Sequence, residues 1–362
     1  MSAEDRVGTV LDGRFHVEAL LGVGGMAAVY AAKDPGGKRV ALKVLHSNVA
    51  SNAEVRARFL RESYVANSVG HEDVVHVHDH VLAEDETVFL VMDLLDGKTL
   101  EAFRVEQGGK LPPAWATRIV LDVLDVLSAA HDKRIVHRDI KPDNVFLTVQ
   151  GRTKLMDFGV ARVMDSVRLT ASAALMGTPA FMSPEQASSR NKEVTPASDV
   201  WSVAAVLFLL LTGEEVHPAK TGPEQIIFAA TQHARKIGTV LPSLPTALRD
   251  LIDCGLEYDA AKRFRTAGAM AKALEHTVEA CGFTDGAQTR PVPVRVYDPS
   301  EETAMGVPSE PGAPSEMGAP SAAARSAPPT LPKRGEGPVV SGTKTIIHGS
   351  GTDAPPKRGP PS

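Results

Sequence analysis

Proline is distributed unevenly along the chain, and this limits how much of the sequence can fold into one compact body. Of the 26 prolines, 15 lie in residues 291–362. The same segment has nine glycines, a single aromatic residue (Tyr297), and seven charges of each sign. Such a segment buries too little apolar surface to offset the loss of conformational entropy. We therefore predict a folded body, a boundary near residues 283–290, and a disordered C-terminal tail.

Charge and cysteine content exclude several classes of protein. The chain has 39 basic and 44 acidic residues, a net charge of −5, whereas general nucleic-acid binders carry a strong basic excess. Cys254 and Cys281 are the two cysteines, and they form no Cys-x-x-Cys pair. This argues against a disulfide scaffold and favours a reducing compartment. We expect a cytoplasmic protein that binds no nucleic acid.

The apolar segments are too short to cross a membrane. The longest run covers residues 203–211, whereas a membrane helix needs about 20 residues. The first fourteen residues include Glu4, Asp5 and Asp12 and lack the apolar core of a signal peptide. We therefore expect no membrane span and predict that residues 203–211 form a buried helix.

The hydrophobic pattern changes character midway along the body. Before residue 99 it predicts strands at 14–21, 29–32, 39–45, 74–81 and 88–94, with one helix at 53–69. After residue 99 it predicts helices at 113–131, 197–211, 223–234, 245–256 and 267–280. The pattern indicates an α+β protein with a small, strand-rich lobe followed by a larger helical lobe.

Two motifs in the first lobe suggest phosphate chemistry, although each is weak alone. Residues 22–29 read Gly-Val-Gly-Gly-Met-Ala-Ala-Val between two strands, and glycines let backbone N–H groups approach phosphate oxygens. A simple hairpin turn is the alternative. Lys43 lies in an apolar strand, where a buried ammonium needs a partner, and Glu62 on the next helix is the natural one. A solvated edge-strand lysine is the alternative.

Two further motifs follow in a fixed order and are far more specific. Residues 137–144 read His-Arg-Asp-Ile-Lys-Pro-Asp-Asn, and residues 157–159 read Asp-Phe-Gly. With these strings, the chain resembles the eukaryotic-like (Hanks-type) serine/threonine protein kinases, most closely their bacterial branch. The resemblance spans residues 14–283 and includes Ser-Pro-Glu at 183–185, Asp-Val-Trp-Ser at 199–202, and Arg263. Residues 284–362 then form the tail.

The resemblance implies a bilobal protein-kinase fold that transfers phosphate from ATP to Ser/Thr hydroxyls of protein substrates, including its own. Asp139 would accept the proton of the attacking hydroxyl, and Lys141 would neutralise charge near the γ-phosphate. Lys43 would contact the α- and β-phosphates and be held by Glu62. Because positioning and charge neutralisation dominate phosphoryl transfer, these roles are chemically consistent.

The resemblance also implies the nucleotide and metal positions. Asn144 and Asp157 would bind Mg²⁺, a hard ion that prefers oxygen ligands. Met92 would stand at the gatekeeper position. Asp93 and Leu95 would offer backbone hydrogen bonds to adenine, and Asp96 would reach the ribose. The remaining positions around ATP are Leu21, Gly22, Val23, Gly24, Gly25, Met26, Ala27, Ala28, Val29 and Ala41.

Structural and regulatory residues follow from the same resemblance. Glu185 would pair with Arg263, and Asp199 would hold the catalytic-loop backbone. Arg138 could bind a phosphate on the activation segment, because guanidinium and phosphate pair in a bidentate manner. Candidate positions on that segment are Ser166, Thr170, Ser172 and Thr178, of which Thr170 and Ser172 are favoured for autophosphorylation. The alternative is a loop that is active without modification.

Departures from the family pattern leave the chemistry intact. Ala27 stands at the third glycine of the phosphate loop, Ala204 at a usual glycine, and Ser183 at a usual alanine. A pseudokinase that acts as a scaffold would normally lose the lysine, the base or a metal ligand. A small-molecule kinase would lack the segment at 177–185. Both readings are alternatives to an active protein kinase.

Two other features admit a functional interpretation. Thr343, with Ile346 three residues later, resembles the spacing read by phosphothreonine-binding domains of the forkhead-associated type, and an incidental apolar patch is the alternative. His71, His76, His78 and His80 suggest a metal site, because the last three would share one face of a strand. Ordinary solvated strand faces are the favoured explanation for these histidines.

Overall fold

The structure is a computed structural model that describes residues 2–83, 85–158 and 179–283, together with Pro293. The side chains at positions 58 and 61–63 lie outside this description, as does most of the tail predicted from residue 284 onward. Within the described part, the chain forms a strand-rich lobe followed by a helical lobe. The predicted α+β, two-lobed arrangement is confirmed.

The first lobe is built on a six-stranded antiparallel sheet with the order β1-β2-β3-β4-β6-β5. Its strands are β1 (Val10–Leu11), β2 (Phe15–Val23), β3 (Ala27–Lys33), β4 (Arg39–Leu45), β5 (Val77–Leu82) and β6 (Val88–Asp93). Helices α1 (Ser47–Ala50) and α2 (Ala53–Val69) lie between β4 and β5. Because β-strand side chains alternate, the sheet has an apolar cluster on each face, one with Phe15 and Tyr30, the other with Phe59.

The second lobe combines a small sheet with most of the helices. The sheet consists of β7 (Gly97–Thr99), β8 (Val145–Thr148) and β9 (Thr153–Leu155). The helices are α3 (Leu100–Glu106), α4 (Pro113–Asp132), α5 (Pro184–Ala187), α6 (Pro196–Thr212), α7 (Gly222–Thr231), α8 (Ile237–Val240), α9 (Thr246–Gly255) and α10 (Ala267–Ala280). In addition, α4 packs against α6 and α10.

Helix α6 explains the longest apolar run in the sequence. Every residue from Ala197 to Leu211 is buried, so this helix forms the centre of the second lobe. A methyl group on Gly255 of α9 would lie 2.7 Å from the Cβ of Ala204 on α6. The Ala204 departure from the family pattern therefore fits here because the facing residue has no side chain. Among the described residues, no helix has both the length and the apolarity needed to span a membrane.

Most predicted elements match the structure, and the differences have local causes. The strand at 39–45 and the helices at 53–69 and 267–280 have the predicted bounds. The predicted strand at 74–81 begins only at Val77, because Val75 donates its backbone N–H to Leu155 of β9 instead. The helix predicted at 223–234 ends at Thr231, where Gln232 adopts an extended conformation.

A buried ion pair joins α5 to the segment before α10. Arg263 forms two bonds with the Glu185 carboxylate, at 2.9 and 3.0 Å, and its other three N–H groups donate to backbone carbonyls. Ser198 donates a further bond of 2.5 Å to Glu185. Burial alone would raise the pKa of Glu185, but Arg263 and Ser198 hold that pKa below its usual value. The predicted partners therefore lie in direct contact.

A second buried polar group, His217, packs against α6. It is 2% exposed, and its ring stacks on Trp201 with ring centroids 6.3 Å apart. Among the described residues its Nε2 has no hydrogen-bond partner. Burial, and secondarily the charge of Arg235, lower the pKa of His217 below its ordinary value of 6.5.

We predict that Arg263→Met destabilises the protein by about 3–5 kcal/mol, because it leaves a buried carboxylate without its cation. Arg190→Met is the matched control, since Arg190 pairs with Glu193 on the surface and both side chains are largely exposed. Its effect should stay below about 1 kcal/mol. Urea unfolding at neutral pH measures both values, and equal losses in the two variants would contradict the prediction.

We also predict that stability falls as the pH drops below the ordinary His pKa of 6.5. In that range the unfolded chain binds a proton at His217 while the folded chain resists it, so the folded state loses at most about 1.4 kcal/mol per pH unit. His217→Phe keeps the ring on Trp201 and should lose less stability between pH 7.5 and 5.5 in urea unfolding. His276→Phe, at an exposed position on α10, should retain the full pH dependence; a similar retention in His217→Phe would refute this explanation.

Candidate active site

The loop at 137–144 is held by hydrogen bonds to the buried carboxylate of Asp199 on α6. The backbone N–H groups of His137 and Arg138 donate to its two oxygens at 2.9 and 2.8 Å. His131 on α4 donates from Nε2 at 2.9 Å, because its Nδ1 accepts the N–H of Ala267. These contacts hold the loop while Arg138 adopts a left-handed backbone with φ of 71°.

The carboxylate of Asp139 is surrounded by donors from its own loop. Lys141 Nζ lies 2.9 Å from Oδ2 of Asp139, and Asn144 Nδ2 donates to the same oxygen at 2.9 Å and to the Asp139 carbonyl at 2.7 Å. Burial alone would lower the pKa of Lys141, but the adjacent carboxylate raises that pKa above its usual value. Lys141 therefore stays charged next to Asp139.

A second charged pair connects the two lobes. Lys43 on β4 is 9% exposed, and its Nζ lies 2.5 Å from Oδ1 of Asp157, which follows β9. Burial alone would raise the pKa of Asp157, but Lys43 holds that pKa below its usual value. Glu62, the partner expected from sequence, belongs to α2, but its side chain lies outside the described part of the structure.

The loop at 137–144 and the Asp157 segment are joined by two hydrogen bonds. His137 Nε2 donates to the Met156 carbonyl at 2.9 Å, and Met156 donates its N–H to the Asn144 carbonyl at 2.9 Å. The His137 ring also packs on Phe158, with ring centroids 4.5 Å apart. Because Asp157 lies between Met156 and Phe158, these contacts set its position relative to Asp139.

The first group of predicted nucleotide positions lies in the hairpin of the first lobe. Gly22 pairs with Val29 and Val23 with Ala28, so β2 and β3 form a hairpin, and Val23 is 60% exposed. Of the remaining residues in this set, Leu21 lies in β2 and Ala27 begins β3. Gly24, Gly25 and Met26 form the turn between them.

The other predicted adenine and ribose contacts lie on β4, on β6 and in the linker between the lobes. Ala41 on β4 pairs with Met92 on β6. Asp93, at the end of β6, donates its N–H to the His76 carbonyl, and Leu95 and Asp96 follow before β7. The Asp96 carbonyl accepts the N–H of Val149, which connects this linker to the second lobe.

Sequence reasoning missed several residues that contact this site. Gln186 of α5 donates to the Arg138 carbonyl at 2.7 Å and accepts from Ser183, so it links α5 to the loop at 137–144. His78 contacts the Asp93 carboxylate at 2.8 Å, and His46 contacts the Gly24 carbonyl at 2.9 Å. No motif marks these contacts, because they join segments that are distant in the sequence.

The histidines considered as metal ligands have different neighbours. His78 contacts Asp93, and His80 lies 3.0 Å from the Tyr64 hydroxyl. The His71 Nε2 lies 3.3 Å from Asp125. Across residues 2–83, 85–158 and 179–283, no group of three or more His, Cys, Asp or Glu side chains has metal-binding geometry. His71, His78 and His80 thus each have a different polar partner, and the His76 ring packs against that of His78 with centroids 4.9 Å apart.

The predicted activation-segment positions fall between two described ranges. Ser166, Thr170, Ser172 and Thr178 lie outside the described residues, as does Gly159 of the Asp-Phe-Gly motif. The described chain resumes at Pro179 and enters α5, which Glu185 and Gln186 attach to the second lobe. On one side of these positions Phe158 packs on His137, and on the other Gln186 of α5 donates to the Arg138 carbonyl.

The donor set fits a nucleotide and a hard divalent cation. Asp157 supplies a carboxylate whose pKa is held low, and Asn144 uses Nδ2 on Asp139, which leaves Oδ1 on the opposite side of its carboxamide. Carboxylate and carboxamide oxygens are ligands that Mg²⁺ accepts. Lys43 adds a buried ammonium beside them, which suits phosphate oxygens.

Comparison with known proteins agrees with this geometry. The chain is 34% identical over 279 residues to the serine/threonine-protein kinase PknA of Mycobacterium tuberculosis, which covers 74% of this chain and 62% of PknA. It is 32% identical to the serine/threonine-protein kinase PrkC of Bacillus subtilis over 76% of this chain and 42% of PrkC. The match thus spans less than two thirds of either relative.

A solved structure and a family model agree with these relatives. The crystal structure of the Mycobacterium tuberculosis PknI kinase domain has a TM-score of 0.60 and 27% identity, covering 75% of this chain and 98% of that domain. The family model for the protein kinase domain matches residues 15–278. The chain therefore belongs to the protein kinase family, in its bacterial serine/threonine branch.

Proposed function

We propose that this chain transfers the γ-phosphate of ATP to serine and threonine hydroxyls of proteins, including its own. The observation that carries the proposal is the environment of Asp139. Its carboxylate accepts from Lys141 and Asn144, within a loop that Asp199 holds in place. In this arrangement the carboxylate can accept the hydroxyl proton, while the lysine stabilises the negative charge that develops on the transferring phosphate.

In the proposed reaction, the hydroxyl oxygen of the protein substrate forms a bond to the γ-phosphorus, and the bond to the ADP oxygen breaks. Asp139 accepts the hydroxyl proton. Lys141, which bonds to Asp139 at 2.9 Å, stabilises negative charge on the transferring group. Mg²⁺, when bound, supplies further charge neutralisation, and Asn144 and Asp157 are the residues that would hold it.

Lys43 has a separate role in this proposal. Its ammonium is buried, 2.5 Å from Asp157, so a cation for the α- and β-phosphates and a carboxylate for the metal lie in one small volume. Glu62 is proposed to support Lys43 from α2. Lys43 and Asp157 offset the cost of each other's burial through their ion pair, so both charges would be in place when the phosphate groups of ATP bind.

Protein substrates, rather than small molecules, are supported by the segment at 179–187. Glu185 is fixed by Arg263, and Gln186 binds the Arg138 carbonyl next to the proposed base. A rigid platform at this place suits docking of an extended polypeptide beside Asp139. The names of the relatives, serine/threonine-protein kinases, support the same substrate class.

The test is phosphate transfer by the full chain with labelled ATP and Mg²⁺, with labelled sites mapped by mass spectrometry. We predict label on serine or threonine in the wild type and a loss of at least about 100-fold in Asp139→Asn, because the amide cannot accept the proton. Asp125→Asn, an exposed carboxylate on α4, is the matched control and should behave as wild type.

Equal labelling of the wild type and Asp139→Asn would reject Asp139 as the base. A wild-type chain that binds ATP and transfers no phosphate to itself or to any protein substrate would favour the scaffold interpretation. Label on a small molecule alone would favour the small-molecule kinase.

We further propose that phosphorylation of Thr170 or Ser172 activates the enzyme, with Arg138 as the receptor for the phosphate. Supporting this, the Arg138 backbone is held on both sides, by Asp199 at its N–H and by Gln186 at its carbonyl. A guanidinium with a fixed backbone loses less entropy when it pairs with a phosphate.

The Thr170→Ala, Ser172→Ala double variant should therefore lose activity by roughly tenfold or more, because the phosphate can no longer order the segment. Ser166→Ala in the same segment is the matched control and should retain activity. Initial rates toward a protein substrate, after preincubation with ATP, measure the effect. Full activity of the double variant would contradict the activation proposal.

The tail carries a weaker proposal. Thr343 and its neighbours lie outside the described residues. We propose that phosphorylated Thr343 recruits a phosphothreonine-reading domain, on the basis of the Ile346 spacing alone. The same mass spectrometry decides this, since a Thr343 that never carries phosphate cannot recruit such a partner.

A further inference from the structure

The turn between β2 and β3, residues 24–26, is attached to the chain that follows β4. Its Gly24 carbonyl lies 2.9 Å from His46 Nε2, and its Met26 carbonyl accepts the backbone N–H of His46 at 2.9 Å. The Met26 side chain is 9% exposed and packs in the apolar cluster that includes Val49 and Phe59. One residue, His46, therefore holds two carbonyls of the turn, while Met26 anchors it on α1 and α2.

The direction of the side-chain bond is set by its acceptor. A carbonyl oxygen only accepts, so His46 Nε2 must carry the proton and donate it to Gly24. The neutral tautomer with a proton on Nε2 and the imidazolium both donate in this way.

Holding the Gly24 carbonyl also orients the next N–H group. In a planar trans peptide, the C=O and the following N–H point in opposite directions. Since the Gly24 carbonyl points at His46, the N–H of Gly25 points away from it. We propose that His46 is a positioning residue that sets the Gly24–Gly25 peptide so that the Gly25 N–H faces a phosphate of ATP; this rests on the proposed function.

The same residue connects the turn to α2. The His46 carbonyl accepts the N–H groups of Val49 and Ala50, which begins α1. The Ala50 carbonyl in turn accepts Arg56 of α2 at 2.5 Å. The glycine turn, α1 and the first turn of α2 are thus linked by successive hydrogen bonds, so a shift of α2 would move the phosphate-binding peptide.

The test compares His46→Leu, which removes the donor, with His46→Gln, whose carboxamide Nε2 can replace it. His16→Leu, at an exposed position on β2, is the matched control. The readouts are the Kd for ATP by calorimetry, the KM for ATP, kcat, and the midpoint of thermal unfolding. The protein is the full chain in each case.

We expect His46→Leu to raise the Kd and KM for ATP about five- to tenfold, the effect of one hydrogen bond, with kcat within about twofold. His46→Gln should recover most of the affinity, and His16→Leu should match the wild type. Unchanged ATP affinity in His46→Leu would overturn the proposal. So would equal affinity losses in His46→Leu and His46→Gln, because the loss would then not depend on the donor.

Failure of this inference is separable from failure of the proposed function. The Kd for ATP needs no phosphate transfer, so the comparison of His46 variants stands even for a chain that transfers no phosphate. Conversely, if the enzyme is active and its Kd for ATP is unchanged by the His46 substitutions, the proposed function stands and only the positioning role of His46 is rejected. A variant with a lowered unfolding midpoint is compared at a temperature where it is fully folded.

Discussion

The buried carboxylate of Asp199 is the interaction on which the rest of the site depends. A fully buried charge is tolerated only when its hydrogen-bonding capacity is met, and here His137, Arg138 and His131 all donate to it. Because His131 also accepts from Ala267, the carboxylate joins α4, α6, α10 and the loop at 137–144 through direct hydrogen bonds. The left-handed Arg138 backbone is stable only within that hydrogen-bond network.

The other contacts of the site extend from the two residues that Asp199 holds, His137 and Arg138. His137 binds the Met156 carbonyl, and Met156 binds Asn144, so the strand ending at Asp157 is positioned against the catalytic loop. Asp157 then meets Lys43 of the first lobe. On the other side, Arg138 offers its carbonyl to Gln186, and α5 is fixed in turn by the Glu185–Arg263 pair. Both lobes and the substrate-side platform are thereby set relative to Asp139.

The sequence predicts the elements that carry a clear period and misses the ones that do not. Helix α2 and strand β4 were predicted with their bounds because each repeats apolar residues over seven or more positions. Strands β7, β8 and β9, of three or four residues each, have no counterpart in the sequence prediction. Their pairing is a consequence of how the second lobe packs.

The site shows the same division between local pattern and tertiary contact. Motif resemblance identified Asp139, Lys141 and Asn144, which lie together because they share one loop. It indicates Glu62, whose side chain lies outside the described part, as a partner of Lys43, and it does not mark the described contact of Lys43 with Asp157, 114 positions away. Gln186 and His46 were missed for a similar reason. Each contacts a backbone carbonyl, and a carbonyl leaves no trace in the amino-acid sequence.

The most direct test of this account is the kinetics of Asp199→Asn, measured where the variant is fully folded. Its carboxamide can accept only one of the two loop N–H groups and presents N–H to the other. The account predicts that kcat for phosphate transfer to protein falls at least about tenfold, because the loop that carries Asp139 and Asn144 loses one of its two backbone hydrogen bonds to residue 199. Asp250→Asn, an exposed carboxylate on α9, is the control. An unchanged kcat in folded Asp199→Asn would contradict the claim that this carboxylate organises the site.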